Sequence, residues 1–586
     1  MKREDLWIGV IILAACFGHA VISSFFLHTF YRDDNVVSFA PLIVDAARQV
    51  TEGRIPWNTF YVGGGGGSPI IAALQPGVLN PLILIPGIMW GDDPEIMVNI
   101  IVSLHIALFS VGAWFLSWAL RAPRWSGFVA SISLGFSGYY WVWASNWMPM
   151  TVPYAFLPWI IGATVRLVSA TDSRQIIAAH LVCAASVFGL LFSGAPNPAF
   201  YGVIVFAACL CSLAFTASKE GAGIRVRLIP QAVFFCIVVA PLLLQSVSVF
   251  RYFGSRYTPF DVWSWFSVPL SAYSALWLPQ TFSTWNLFGR TLFMDNVVLS
   301  TGVVPCWYVL TWIICKPAGL ANKELLPLGI GITAFIFVLS PHLLPNAASL
   351  ASLGFINAFR WPFRGVPAFH VLLVFLFLVA ARTWRRPASR RSQMLVVLAC
   401  LGFSLVPVYA EMFSIFAAKP GENWFRVGPG FADRESWDKI TLDRLRSAGY
   451  VAALCRTYRL YCTKPGLFFH GNLGAQCSVH TVGSYLFNAN TPLRASIGMD
   501  DRGRFTNWND ALRFIKLSAP APSNERTGWK NGIGPADLKE FSSKTYVGAV
   551  VVERAWREPI EYFRQSGEWK LLDEKPEAAV FVRSPP

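Results

Sequence analysis

Charge is what this 586-residue chain has least of: Asp, Glu, Lys and Arg make up 14% of it, against 54% hydrophobic residues. With a mean hydropathy of +0.47, a water-soluble core could not bury that much apolar surface, so lipid must be the solvent for most of the chain. A basic face is lacking too. The net charge of +15 is divided among short loops between apolar runs, which is how orientation is encoded in membranes, and nucleic acid is excluded as a partner. No repeat is present. The five glycines from Gly63 to Gly67 lack the Lys-Ser/Thr of a phosphate-cradling loop, and a flexible turn is their commoner meaning. Zinc-type cysteine spacing is also missing. Eight of the 11 cysteines lie in apolar segments or at their ends and read as small buried hydrophobes. Cys455, Cys462 and Cys477 lie in the polar tail and allow one disulfide. What is abundant is aromatic: 24 Trp and 46 Phe fit a bundle with many membrane interfaces.

Apolar runs near the ~20-residue spanning length fall at roughly 6–30, 96–120, 126–143, 150–170, 176–194, 197–218, 228–250, 298–315, 324–341, 366–381 and 394–416. The expectation is an α-helical polytopic membrane protein with about eleven spans. The first run follows MKRED, is longer than a signal-peptide core and has no small-residue cleavage site, so it reads as an uncleaved span with a cytoplasmic N-terminus. Alternate loops then carry Arg121 and Arg124; Arg174; Lys219, Arg225 and Arg227; Lys316 and Lys323; and Arg382, Arg385, Arg386, Arg390 and Arg391. The opposite short connections, around Asn146 and Pro196, carry no Lys or Arg. By the positive-inside rule the loops 31–95, 251–297 and 342–365, and the tail from about 417, lie outside. That register requires Gly77 to Trp90, which is short and contains Pro81 and Pro86, to lie along the outer surface or re-enter.

The chain thus divides into a transmembrane domain, 1–416, and an extracytoplasmic C-terminal domain, 417–586. Within the first outer loop, Val36 to Val50 has apolar residues at helical spacing with Asp45 and Arg48 between them, which predicts a short helix on the membrane surface. The loop 251–297, dense in aromatics and prolines, should lie at the interface. In the tail, Trp437–Ala448 reads as a helix, Tyr546–Val552 as a buried strand, Pro559–Gln565 as a helix, and Trp569–Val582 as a hairpin turning near Lys575, hence a small α/β domain.

Ionisable groups near a membrane are costly and therefore informative. Asp33 and Asp34 stand where the first span ends. A carboxylate there can act as general base on a sugar hydroxyl if burial or its neighbour raises its pKa; the alternative is a polar flank that stops the span. Arg360 and Arg364, from NAFRWPFRG, run against the positive-inside trend and suit bidentate contact with a phosphate or diphosphate at the lipid surface, or with bulk headgroups. Arg251, Arg256 and Arg290 are less focused candidates. His180, His342 and His370 read as structural histidines. Polar breaks at two outer span ends, FSGYYWVWASNW at 136–147 and SGAPNPAFYG at 193–202, either end helices or bring Asn146 and Asn197 into one outer cavity with Asp34. Asn58 and Gln75 are further hydrogen-bonding candidates for a sugar.

These pieces in this order resemble the YfhO-like bacterial membrane proteins and, more broadly, the GT-C superfamily of glycosyltransferases that use polyprenyl-phosphate-linked sugars. DNVVSFAP at 34–41 looks like the family's Asp-Gly-x-x-Gln-x-x-Pro element, with Asn35 and Ser38 where Gly and Gln are common. GRIPWNTFYVGGGGGSP at 53–69 is similar to its Gly-x-x-Pro-x-Trp-Asn and Gly-x-Pro pattern, and Gln75, the two polar breaks and FRWPFRG follow. The resemblance covers most of residues 1–370. It implies a GT-C-like bundle in the bacterial inner membrane, a polyprenyl-phosphate-sugar donor, and an extracytoplasmic glycan, lipid or envelope polymer as acceptor. Asp34 takes the position of the first-loop catalytic base, with Asp33 beside it. Arg360 and Arg364, or a divalent cation, would stabilise the departing phosphate. A non-catalytic transporter or scaffold for lipid-linked glycans is the alternative.

Overall fold

A computed structural model of the chain describes residues 3–27, 29–31, 35–56, 58–59, 68–70, 76–170, 172–194, 196–216, 303–315, 325–340, 362–383, 389–417, 437–448, 450–454, 547–554 and 557–584, with the single residues Pro230, Val233, Ile237, Tyr273 and Leu343. The expected span 228–250, most of the loops 251–297 and 342–365, and Cys455, Cys462 and Cys477 lie outside these residues.

The helices are α1 (Arg3–Leu27), α2 (Ala40–Thr51), α3 (Pro81–Trp90), α4 (Pro94–Ala119), α5 (Arg124–Gly135), α6 (Gly138–Thr151), α7 (Leu157–Ser169), α8 (Ser173–Phe192), α9 (Pro196–Thr216), α10 (Val303–Cys315), α11 (Leu325–Leu339), α12 (Val366–Thr383), α13 (Arg390–Ala417), α14 (Lys439–Ser447) and α15 (Arg557–Gln565). A π turn, Asn35–Phe39, leads into α2, and 3₁₀ turns, Val152–Phe156 and Pro362–Gly365, lead into α7 and α12. The strands are β1 (Asn58–Thr59), β2 (Ser68–Pro69), β3 (Tyr450–Leu454), β4 (Val547–Glu553), β5 (Trp569–Glu574) and β6 (Ala578–Arg583). Among the described residues, five segments are long and apolar enough to cross a membrane: Arg3–Phe26, Pro94–Ala119, Trp147–Ser169, Ser173–Phe192 and Val366–Thr383.

The chain forms two compact units: Met1–Phe30, Asn99–Leu244 and Ser255–Ser414 in one, and Tyr31–Val98, Gln245–Gly254 and Ile415–Pro586 in the other. In the first, the apolar stretch 126–143 is two helices rather than one. Gly135 ends α5, and the Ser137 hydroxyl caps α6 by accepting from the Tyr140 N–H at 3.4 Å. Arg124 donates to Glu4 at 2.8 Å and to Asp5 at 3.1 Å, and the Trp114 indole donates to the Asp5 carbonyl at 3.0 Å. Arg166 lies 4.5 Å over the Trp118 ring and donates to Gln175 at 2.7 Å. The start of α1, the end of α4 and the start of α5 therefore meet at one charged end of the unit, and Arg166 at the end of α7 reaches Trp118 there.

In the second unit, α2 is the helix expected within the first loop, but it is buried: Leu42, Ile43, Ala46 and Ala47 are packed away. Its apolar face meets α3, where a Cβ on Gly87 would stand 2.9 Å from Ile43. Helix α3 begins at Asn80, whose side chain accepts from the Leu82 N–H at 3.0 Å, and continues through Pro81 at its first position. Its 10 residues extend only about 15 Å, too short for the ~30 Å hydrocarbon core.

The C-terminal sheet has the order β3-β4-β6-β5, with β3 parallel to β4 and the other pairs antiparallel. Alternate residues of β4 face opposite ways, and both faces are covered. Ala549 and Val551 join Trp437, Leu445 and Val580 in one cluster. On β6, Phe581, paired with Val550, meets Phe563 of α15, their rings 5.5 Å apart. This explains the unbroken apolar run in β4. The hairpin turn closes where Lys575 N–H donates to the Ala578 carbonyl at 2.7 Å. Strand β3 was not legible in the sequence, because five residues reading YVAAL carry little signal apart from their distant partner β4.

Asp438 caps α14 by accepting from the Thr441 N–H at 2.7 Å, and that bond, opposed by desolvation and helped by Thr441 Oγ1, the Ile440 N–H and Lys575, holds its carboxyl below the ordinary value. A depressed folded-state pKa contributes stability that is present at neutral pH and lost as pH falls through the folded-state value. Asp438→Asn keeps the cap but should remove this acid sensitivity, whereas Asp438→Ala should lower the stability of the C-terminal sheet at neutral pH as well. Thermal unfolding followed by proteolysis of the tail between pH 3 and pH 7 checks both outcomes.

Candidate functional site

Of the residues singled out in the sequence, Asp33, Asp34, Gln75 and Arg360 lie outside the described residues. Asn58 is in β1 and Asn146 in α6, and the description there extends to the backbone. Arg364 and Asn197 are described with their side chains, and both belong to the first unit.

Arg364 is 7% exposed. It sits in the 3₁₀ turn Pro362–Gly365, immediately before α12. Its guanidinium lies 4.7 Å from the centroid of the Trp147 ring, a cation–π geometry. Its carbonyl accepts a hydrogen bond from the Tyr154 hydroxyl at 2.7 Å. At the next residue, a Cβ on Gly365 would approach the Tyr201 ring to 2.7 Å, so only glycine lets that ring close over the turn. Asn197 stands four residues before Tyr201 on α9, on the same helix face. It is buried, and its Nδ2 has no hydrogen-bond partner among the described residues.

The local chain makes this convergence necessary. Trp147 adopts φ −138°, ψ 65°, which breaks the regular path of α6 two residues before Pro149. Gly194, at the junction of α8 and α9, lies so close to Pro149 that any Cβ would collide with the Pro149 backbone carbonyl. The three polar segments picked out at 136–147, 193–202 and 359–365 thus meet around one buried cation. Farther along α12, His370 Nδ1 and Ser137 Oγ are 3.2 Å apart, tying α12 to the cap of α6. Tyr273, from the aromatic second loop, bonds Ser340 Oγ at 3.0 Å, and burial pushes its phenol up to about 12, against the lowering effect of that bond.

A guanidinium flanked by aromatic rings, with α9 joined to its turn through Tyr201, is chemistry suited to an anion such as a phosphate. Tyr154, Trp147 and Tyr201 were not named as site residues in the sequence; their only signal was membership of the polar breaks or the adjacent 3₁₀ segment. A second acidic group of the first loop, Asp45, is buried at 1% exposure and held by Gln49 Nε2 at 2.9 Å and Arg48 Nη1 at 3.4 Å, a structural arrangement within α2. No group of three or more His, Cys, Asp or Glu among the described residues is arranged to hold a metal ion.

No family model and no curated protein matches the sequence. Among solved structures, the fold is similar to that of the arabinofuranosyltransferase AftD from Mycobacteria, with a TM-score of 0.54 and 15% identity over 98% of this chain and 40% of that one. The chain therefore spans less than half the length of that protein. ArnT from Cupriavidus metallidurans aligns over the full length of both chains, with a TM-score of 0.41 and 12% identity in its apo state and 0.40 and 13% when bound to undecaprenyl phosphate. The likeness to AftD is one of fold alone.

Gly194→Ala should force apart the α6–α7 and α8–α9 junctions, because the atoms it meets are backbone and cannot rotate away. A destabilisation of about 1–3 kcal/mol is expected. It would be read as a fall in melting temperature of the detergent-purified protein.

Proposed function

We propose that the protein is a glycosyltransferase of the bacterial inner membrane, YfhO-like in family, that moves a sugar from a polyprenyl-phosphate-linked donor to an extracytoplasmic glycan, lipid or envelope polymer. The observation that carries this reading is Arg364, a buried cation held against Trp147 where the three polar segments meet. The fold shared with AftD, itself an arabinofuranosyltransferase, supports the reaction class. In this reading residues 417–586 form an outer domain and the end bearing Arg364 faces the outside. The opposite end, bearing Arg124 and Arg166, faces the cytoplasm, in keeping with the positive-inside pattern.

Asp34, with Asp33 beside it, takes the proton from the acceptor hydroxyl as that oxygen bonds to the sugar's anomeric carbon. The bond from that carbon to the lipid phosphate breaks on the opposite face, and the leaving phosphate carries away the electron pair. Arg364, with Arg360, offsets the charge that develops there. Asn197 and Asn146 contact the phosphate or sugar, and Asn58 and Gln75 the sugar hydroxyls. A divalent cation at the leaving phosphate would supply the same charge compensation.

Asp34→Asn should abolish transfer while expression persists. Arg364→Ala should lower kcat/KM by roughly 10²–10³, on the scale of losing one preorganised donor to developing charge. Mass spectrometry of envelope glycans in cells lacking the protein, complemented with each variant, identifies the missing residue and reads both effects. A fully active Asp34→Asn variant would sink the proposed base and leave the transporter or scaffold reading.

A further inference from the structure

The most unusual feature of the first unit outside the Arg364 cluster is the face of α4. Asn99, Ser103, Ser110 and Ser117 recur along one side of this apolar helix, and all four are buried. At one end the polar groups are satisfied. Ser110 donates to the Ile106 carbonyl at 3.1 Å and also bonds the Cys16 thiol of α1. At the other end they are not. Both side-chain atoms of Asn99 and the hydroxyl of Ser103, at 0% exposure, have no hydrogen-bond partner among the described residues.

The contacts along α4 define the level of this gap. Trp114 meets Asp5 and Gly9 of α1, and Ser110 meets Cys16, so α1 and α4 run antiparallel. At ~1.5 Å per residue, Asn99 lies about 22 Å along the axis from Trp114 and its charged neighbours. The same register brings the last turn of α1 to that height. Thr29, just past it, has a fully buried hydroxyl that is likewise unpartnered among the described residues.

An unpartnered amide inside a membrane bundle costs free energy unless a ligand or water meets it. An amide that can both donate and accept, with the Ser103 hydroxyl one turn away on the same face and the Thr29 hydroxyl at the same height, matches the vicinal hydroxyls of a sugar. We propose that Asn99 and Ser103, with Thr29, form a polar subsite that receives the glycosyl unit of the donor; this rests on the donor reading above.

The test compares three probes on the full-length protein in detergent, by tryptophan fluorescence: undecaprenyl phosphate, and the same lipid phosphate carrying a hexose or a pentose. Wild type should bind at least one sugar-bearing probe more tightly than the bare lipid. Asn99→Leu, close to isosteric, should erase that increment, roughly tenfold in Kd for lost hydrogen bonds, while binding of the bare lipid is unchanged. Its melting temperature should hold or rise, since an unpartnered polar group is removed. Equal binding of all three probes by wild type, or an increment that survives in Asn99→Leu, overturns the subsite and leaves the donor reading standing. A fall in melting temperature of several degrees in Asn99→Leu, with the sugar increment intact, assigns the amide to a structural water and likewise overturns it. If wild type binds none of the probes, the donor reading fails and the subsite fails with it.

Discussion

A guanidinium inside an apolar bundle is the constraint on which the packing of α6, α9 and α12 depends. Desolvating such a charge costs several kcal/mol even after relaxation, and an aromatic ring face offsets part of that cost. Trp147 presents its π face at 4.7 Å, an interaction of about 2 kcal/mol when desolvated. To do so it leaves helical geometry, and α6 breaks there. Tyr154 holds the backbone of Arg364 through its carbonyl, and glycines at 365 and 194 let rings and backbone approach closely enough to close around the turn.

The unit is polarised by the same physics. Glu4, Asp5, Arg124 and Arg166 gather at one end, where Arg124 and Glu4 remain in contact with solvent and their pairing is worth little individually. Around the Arg364 turn, the described polar groups include the Tyr154 hydroxyl and the Asn197 amide. Along helix α4, Ser110 bonds within the bundle, whereas Asn99 and Ser103 farther along have no protein partner among the described residues.

Part of this was legible because membrane sequences obey few rules strongly. Runs of about 20 apolar residues can bury their backbone polar groups only as helices, so α1, α4, α8 and α12 appear close to their expected limits. The hairpin β5–β6 was equally readable from alternation around a turn at Lys575. The stretch 126–143 misled because hydropathy averages over a break: Gly135 and Ser137 interrupt the helix without lowering the mean. The burial of α2 was missed because an amphipathic pattern does not say whether its apolar face meets lipid or another helix.

By itself the sequence determined that the protein lives in lipid, where its longest helices run, and that Arg364 and the segments 136–147 and 193–202 are out of place in so apolar a chain. Those are local properties, set by composition and period. Only the tertiary structure decided that these segments meet one another, that Trp147, Tyr154 and Tyr201 hold and cover the Arg364 turn, and that Asn99 and Ser103 find no partner among the described residues while Ser110 does. Each depends on which helix lies opposite which, and that is settled by packing between residues as many as two hundred positions apart in the chain, as with Tyr154 and Arg364.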